Sequence, residues 1–87
     1  MNSTFSLFNQ INSLSFWLLT SSNYRASVAL DAQKDTYSVS VIYAGKELYA
    51  KSIEGFSKRN TLFLEMELDT MVAGLLHLKE NITQQYA

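Results

Sequence analysis

The residues whose types could do chemistry lie mostly in the last third of the chain. His77 is the only histidine, and the carboxylates Glu65, Glu67 and Asp69 precede it. A zinc site needs three or four converging ligands, often cysteines, and the chain has no cysteine. We find no glycine-rich phosphate loop and no nucleophile elbow. The sequence therefore predicts no enzymatic activity, no metal and no cofactor.

A second group with chemical potential is Ser57-Lys58-Arg59, which stands where the last helix is expected to start. Cations at a helix N-terminus oppose the helix dipole, so helix stability does not explain them. The free backbone N–H groups of such a terminus can hold an anion. Lys58 and Arg59 are therefore candidate contacts for an anion or a nucleic acid.

Composition restricts the classes of protein to which the chain can belong. Its 87 residues include seven basic and eight acidic ones, for a net charge of −1, and 47% are apolar. This length and apolar content predict one α+β domain over 1–87 with a real core. The lack of cysteine favours a reducing cytoplasm. We expect no membrane segment, because no apolar run is long enough.

The stretch from Tyr24 to Ile53 alternates apolar and polar side chains almost without a break. Period-two alternation in β-branched and aromatic residues is typical of half-buried strands. A four-residue loop at 32–35 and a two-residue turn at Ala44-Gly45 divide the stretch into three strands. The sequence thus predicts a three-stranded antiparallel meander.

The loop lengths also predict the register of the meander. The first loop pairs Leu30 with Tyr37, and the second turn pairs Val41 with Leu48. Both turns then place the apolar sets on one face, which is the face expected to pack on helices. The opposite face is small-residue and rich in hydroxyls, and it is the expected partner-binding surface. Its candidate contacts are Arg25, Ser38, Ser40, Tyr49 and Lys51.

Apolar residues at helical spacing predict a helix on each side of the sheet. The first covers roughly Thr4 to Leu14, with Thr4 as a candidate cap, whereas 15–20 could be helix or strand. The second is capped by Ser57, runs to about Glu80, and is followed by a frayed tail at 81–87.

The long C-terminal helix is apolar around more of its circumference than one sheet face can cover. Its second apolar side could pack on the first helix or meet another subunit. Small domains often gain burial by oligomerising, so we expect a homodimer more than a monomer. The candidate dimer contacts are Leu62, Met66, Ala73, Leu76 and Trp17.

The order helix–strand–strand–strand–helix, with Ser57-Lys58-Arg59 at the start of the last helix, resembles a double-stranded RNA-binding domain. That resemblance implies nucleic-acid binding as an alternative function, with Arg25, Lys51, Lys58 and Arg59 as basic contacts. The chain departs from the family at Leu62, which falls at or near a further helix lysine, and it lacks the Gly-Pro-x-His loop. The segment from Tyr24 to Leu76 is also similar in rhythm to the domain of HicB-type antitoxins.

The functional expectation follows from what remains once the core is assigned. Without catalytic or metal constellations, the two uncovered surfaces favour a non-enzymatic protein–protein interaction module. Tyr and Ser on a rigid face give contact area at low entropy cost. A small domain of this kind would act as an inhibitor or regulator of a larger complex, for example one carried by a phage.

Overall fold

The order of elements is α-β-β-β-α, as the sequence predicts. The computed structural model describes residues 3–85, and its strands form one antiparallel sheet in the order β1-β2-β3. A short 3-10 turn precedes the last helix. The elements are α1 Ser3–Ser21, β1 Arg25–Asp31, β2 Thr36–Tyr43, β3 Lys46–Glu54, the 3-10 turn Phe56–Lys58 and α2 Thr61–Gln85.

The core lies between one face of the sheet and both helices. The central strand supplies Tyr37, Val39 and Val41, which are at most 4% exposed. Burying such side chains is the main favourable term in folding, at roughly 1.5–3 kcal/mol each. Both helices add fully buried residues to the same cluster, namely Ile11, Leu18, Leu68, Met71 and Leu75.

The two helices run in the same direction over the sheet. At their starts, the Phe8 ring lies 5.1 Å from that of Tyr37 and 5.5 Å from that of Phe56. Near their ends, Lys79 Nζ lies 4.9 Å from the centre of the Trp17 ring. The first helix packs over β1 and the second over β3, and the helices contact each other along their length.

The first helix is longer than the predicted 4–14. Residues 15–20 are helical, and Thr4 lies inside the helix instead of capping it. The helix ends at Ser21 and is followed by Ser22, whose Oγ donates to Leu18 O at 2.5 Å and accepts from Tyr24 N at 3.1 Å. These hydrogen bonds satisfy a free carbonyl at the helix end and turn the chain into β1.

The predicted register of β1 with β2 is confirmed. Leu30 is opposite Tyr37, and Val28 is opposite Val39. Asp31 holds the intervening turn, since its Oδ1 accepts from the backbone N–H groups of Gln33 and Lys34. Such a side-chain bond stabilises a tight reversal of the chain.

The predicted register of β2 with β3 is wrong by one residue. The turn is at Ala44-Gly45 as expected, and both residues have positive φ (53° and 77°). Val41, however, is opposite Tyr49, because a bulge at Leu48 shifts the ladder. A bulge inserts one extra residue into one strand and so exchanges the faces of all residues beyond it.

The bulge turns Tyr49, Lys51 and Ile53 toward the helices. Ile53 is 4% exposed, and Lys51 Nζ lies 2.7 Å from Glu67 Oε2 on α2. The Tyr49 ring lies against Gly74, where an added Cβ would stand 2.6 Å from the ring atom Cε1. The absence of a side chain at Gly74 therefore lets α2 approach β3.

The start of the second helix differs from the prediction as well. Its cap is Asn60, whose Oδ1 accepts from Phe63 N at 2.8 Å. Ser57 lies earlier, and its N and Oγ both donate to the carboxylate of Asp35. The helix also continues past Glu80 to Gln85, with Ile82 only 2% exposed. Of the expected frayed tail, 86 and 87 lie outside the described residues.

The close contact of Gly74 with Tyr49 predicts that Gly74→Ala destabilises the wild type but stabilises a variant without the Tyr49 ring. In the wild type, Gly74→Ala should lower the free energy of unfolding by about 1–2 kcal/mol, since overpacking outweighs the gain in helix propensity. In a Tyr49→Ala background, the same substitution should raise it by up to about 1 kcal/mol. Urea unfolding followed by circular dichroism measures both, and equal effects in the two backgrounds would refute the contact.

Tyr37 gives a prediction about alkaline pH. Burial raises the pKa of its hydroxyl from 10.0 to about 12. Between these values the unfolded chain loses this proton and the folded chain keeps it, so stability should fall as pH rises from 10 to about 12. The hydroxyl is buried without a hydrogen-bond partner among the described residues.

Tyr37→Phe should therefore be at least as stable as the wild type at pH 7, and it should show a shallower loss of stability above pH 10. Urea unfolding at pH 7, 10 and 11.5 measures both quantities. Tyr43→Phe is the matched control, because Tyr43 is 42% exposed at the end of the same strand. A Tyr37→Phe variant with an unchanged alkaline slope would contradict the assignment.

Candidate interaction surfaces

The middle of the sheet face away from the helices carries small side chains. Cross-strand pairing aligns Ser27, Ser40 and Ala50 in one row, and Ala29, Ser38 and Ser52 in the next. Arg25 is exposed at one end of this surface. Three of the predicted contacts, Arg25, Ser38 and Ser40, therefore lie together on the open face.

Tyr49 and Lys51 do not lie on the open face, contrary to the sequence-based expectation. The bulge at Leu48 places both on the side that packs against α2. The Lys51 side chain is 28% exposed and paired with Glu67. Burial raises the pKa of the Tyr49 hydroxyl, with a smaller opposing effect of Lys51. Among the described residues, the open face accordingly carries no aromatic ring.

Lys58 and Arg59 precede α2 instead of forming its first turn. Arg59 Nε donates to Glu54 O at 3.0 Å, and its guanidinium carbon lies 4.8 Å from the centre of the Phe63 ring. Lys58 is exposed near the Asp35 carboxylate. Hydrogen bonds from Ser57 lower the pKa of Asp35, with a smaller contribution from Lys58.

These contacts compete with the anion site that the sequence suggested. The cap at Asn60 already occupies the N–H of Phe63 at the helix start, and the carboxylate of Asp35 repels an anion near Lys58. The other two candidate cations lie elsewhere, with Arg25 on the open face and Lys51 on the covered face. The fold thus does not bring the four predicted basic contacts together.

The outer side of α2 carries a ridge of exposed apolar residues, which we call the α2 ridge. Leu62 is 69% exposed, Met66 is 64% exposed and Leu76 is 39% exposed. Ala73 is exposed on the same side, and Asp69 stands in the middle of the row. Their spacing of four and three residues is that of a coiled-coil seam.

The α2 ridge borders a groove between the two helices. Ser6 and Gln10 of α1 line the groove opposite Leu62, Met66 and the carboxylates Glu65 and Asp69. Further along, Ser13 and Leu14 lie beside Leu76. Trp17, the fifth predicted dimer contact, differs from the others because it is partly buried and lies under Lys79.

The opposite flank of α1 is a second apolar surface, and none of the five predicted dimer contacts lies on it. Phe5 is 64% exposed, Phe16 is 66% exposed and Leu19 is 42% exposed. At 100° per residue they share one side with Asn12, within about 60° around the helix axis. The spacing of these residues indicates a shared helix side only if the helix continues beyond Leu14.

The titratable residues of α2 lie on its surface. His77 is exposed, and its Nε2 lies 3.4 Å from Asn81 Nδ2. Within residues 3–85 no group of three or more His, Asp or Glu side chains is placed to hold a metal ion. Neither helix in this range is long and apolar enough to cross a membrane.

No protein-family model, no curated protein and no solved structure matches the chain. The inference of function therefore depends on the surfaces themselves.

Proposed function

We propose that the protein is a non-enzymatic interaction module that holds a helix of a protein partner against the α2 ridge. The observation that supports this proposal most directly is the exposure of Leu62 and Met66, at 69% and 64%, beside a groove. Clustered exposed apolar residues at helical spacing are typical of surfaces that bind an amphipathic helix. A module of this kind would regulate or inhibit the complex to which its partner belongs.

The charges around the groove indicate the chemistry of the partner. Glu65 and Asp69 line the groove beside the apolar residues. A partner helix that places apolar side chains on Leu62 and Met66 would bring its next turn close to these carboxylates. Basic residues at that turn would gain electrostatic complementarity. The proposed ligand is therefore an amphipathic helix with one apolar stripe and flanking Lys or Arg.

Nucleic-acid binding has less support from the same surfaces. The four candidate cations lie at three separate places, since only Lys58 and Arg59 are adjacent. Lys51 is held by Glu67 and Arg59 by the backbone carbonyl of Glu54. Phosphate binding draws its affinity from several cations acting together. Salt-dependent retention on heparin would nevertheless favour that alternative over the proposed one.

Site-specific photo-cross-linking in the native host tests the proposal. A cross-linking amino acid at Met66 should give an adduct with one partner, and mass spectrometry should place the linked peptide in a basic amphipathic helix. Leu62→Glu should weaken formation of this adduct at least tenfold, as expected for loss of an interface anchor. It should leave the fold unchanged, because the position is exposed.

The matched control for this experiment is a cross-linking amino acid at Ser40, on the open face of the sheet. It should not give the adduct. If the partner links at Ser40 and not at Met66, the open face is the binding surface and the proposal is wrong. An adduct at Met66 that is insensitive to Leu62→Glu contradicts it equally.

A further inference from the structure

We propose that two copies of the chain form a two-fold dimer by pairing their β1 strands antiparallel about Val28, with their α1 flanks packed about Asn12. This assigns the self-association expected from the sequence to a surface other than the α2 ridge. The proposal does not depend on the proposed function, since the two surfaces lie on opposite flanks of the helix layer.

The first observation is the free edge of β1. In the part of the chain that the structure describes, the strand order leaves β1 and β3 with one unpaired side each. Proteins usually protect such edges with charged residues, proline or a bulge. The β3 edge has a bulge at Leu48 and charged residues along its length. The sequence of β1, Arg-Ala-Ser-Val-Ala-Leu-Asp, is uncharged between its first and last residues.

The second observation is that β1 is complementary to itself. Antiparallel pairing about Val28 brings Arg25 opposite Asp31 of the second copy, and the same ion pair forms again at the other end. Between them, Ala26 meets Leu30, Ser27 meets Ala29, and Val28 meets itself. Opposite charges across a strand pair are favourable, and a two-fold axis requires this reciprocal pattern. Arg25 is exposed, and Leu30 on the helix-facing side is 66% exposed.

The third observation is that α1 has a matching symmetry. Its outer flank carries Phe5, Asn12, Phe16 and Leu19, and the partly buried Phe8 borders this flank where it packs on Tyr37 and Phe56. In an antiparallel pair of such helices centred on Asn12, Phe5 would meet Leu19, Asn12 would meet itself, and Phe16 would lie beside the accessible part of Phe8. Two amides facing each other on the axis can hydrogen-bond and fix the register.

Each of the two patterns is centred on the midpoint of its element. The midpoint of α1, Ser3–Ser21, is Asn12, and the midpoint of β1, Arg25–Asp31, is Val28. The helix packs over β1, and its other flank faces α2 across the groove. The flank with Phe5 and Phe16 therefore lies above the free edge of the strand. One rotation about an axis through Val28 and Asn12 would join both surfaces.

The area is sufficient for a stable contact. Phe5, Phe16, Leu19 and Leu30 together expose roughly 400 Å² of apolar surface per copy, as judged from the 150–250 Å² of an aromatic side chain. With the strand backbones, the total from two copies would exceed the roughly 1,000 Å² that a specific interface needs. The product would be a continuous six-stranded sheet with four helices on one side.

Sedimentation equilibrium between 5 and 100 µM tests the dimer. The wild type should approach twice the chain mass of 9.9 kDa. Asn12→Lys and Asn12→Glu each place like charges on the axis, so each should weaken association at least tenfold. An equimolar mixture of the two variants should recover the dimer. A residue on a two-fold axis contacts the same residue of the second copy, so the lysine of one variant would then face the glutamate of the other.

Matched controls distinguish loss of the dimer from loss of the fold. Ser13→Lys and Ser13→Glu change the neighbouring exposed residue, which lines the groove beside α2, and they should leave the mass unchanged. Met66→Glu should also leave the dimer intact. Circular dichroism should show the same helix content in every variant.

Hydrogen exchange tests the strand pairing separately. In the wild-type dimer, the outward-facing amides of β1 should exchange at least tenfold more slowly than in the Asn12→Lys variant, whereas the β3 edge should not change. The proposal is overturned by a single-chain mass for the wild type at 100 µM. It is also overturned if Met66→Glu dissociates the dimer and Asn12→Lys does not, or if β1 exchange is unchanged.

Discussion

The contact of the central strand with both helices is the interaction on which the rest of this structure depends. Within residues 3–85, β2 is the only strand with a neighbour on each side, and its Tyr37, Val39 and Val41 are at most 4% exposed. A small sheet of three strands needs a hydrophobic face or packing against a helix to be stable on its own. Two helices are enough to cover one face, and this leaves the other face, two strand edges and the outer flanks of the helices for contacts with other molecules.

The sequence was sufficient for the fold and for half of the register. Alternation placed Leu30 opposite Tyr37 because the first loop has no irregularity. The second hairpin could not be read in the same way, because Leu48 and Tyr49 are adjacent and apolar. Pairing Val41 with Leu48 would turn Leu48, Ala50 and Ser52 toward the helices. The observed pairing of Val41 with Tyr49 buries more apolar area, because it turns Tyr49 and Ile53 toward the helices instead. The bulge allows the tight turn and the better-packed face to coexist.

The predicted positions of individual surface residues are wrong for two reasons, namely the one-residue register shift in β3 and the choice of cap at the start of α2. Tyr49 and Lys51 were expected on the open face because the bulge was not foreseen. Lys58 and Arg59 were expected in the first turn of α2 because Ser57 and Asn60 are both good caps by residue type. The choice between them is made by Asp35, which is distant in sequence and binds Ser57. Local propensity cannot include a partner of that kind.

The distribution of charge distinguishes the two uncovered flanks of the helix layer. The α2 ridge is interrupted by Asp69 and bordered by Glu65, so a second copy would bring carboxylates toward carboxylates there. The α1 flank is uncharged, as are all residues from 1 to 24. Like charges in an interface oppose association, whereas complementary ones select the partner. The acidic ridge is therefore better suited to a basic partner of another kind. The neutral flank, above a strand whose ends carry opposite charges, is better suited to a copy of itself.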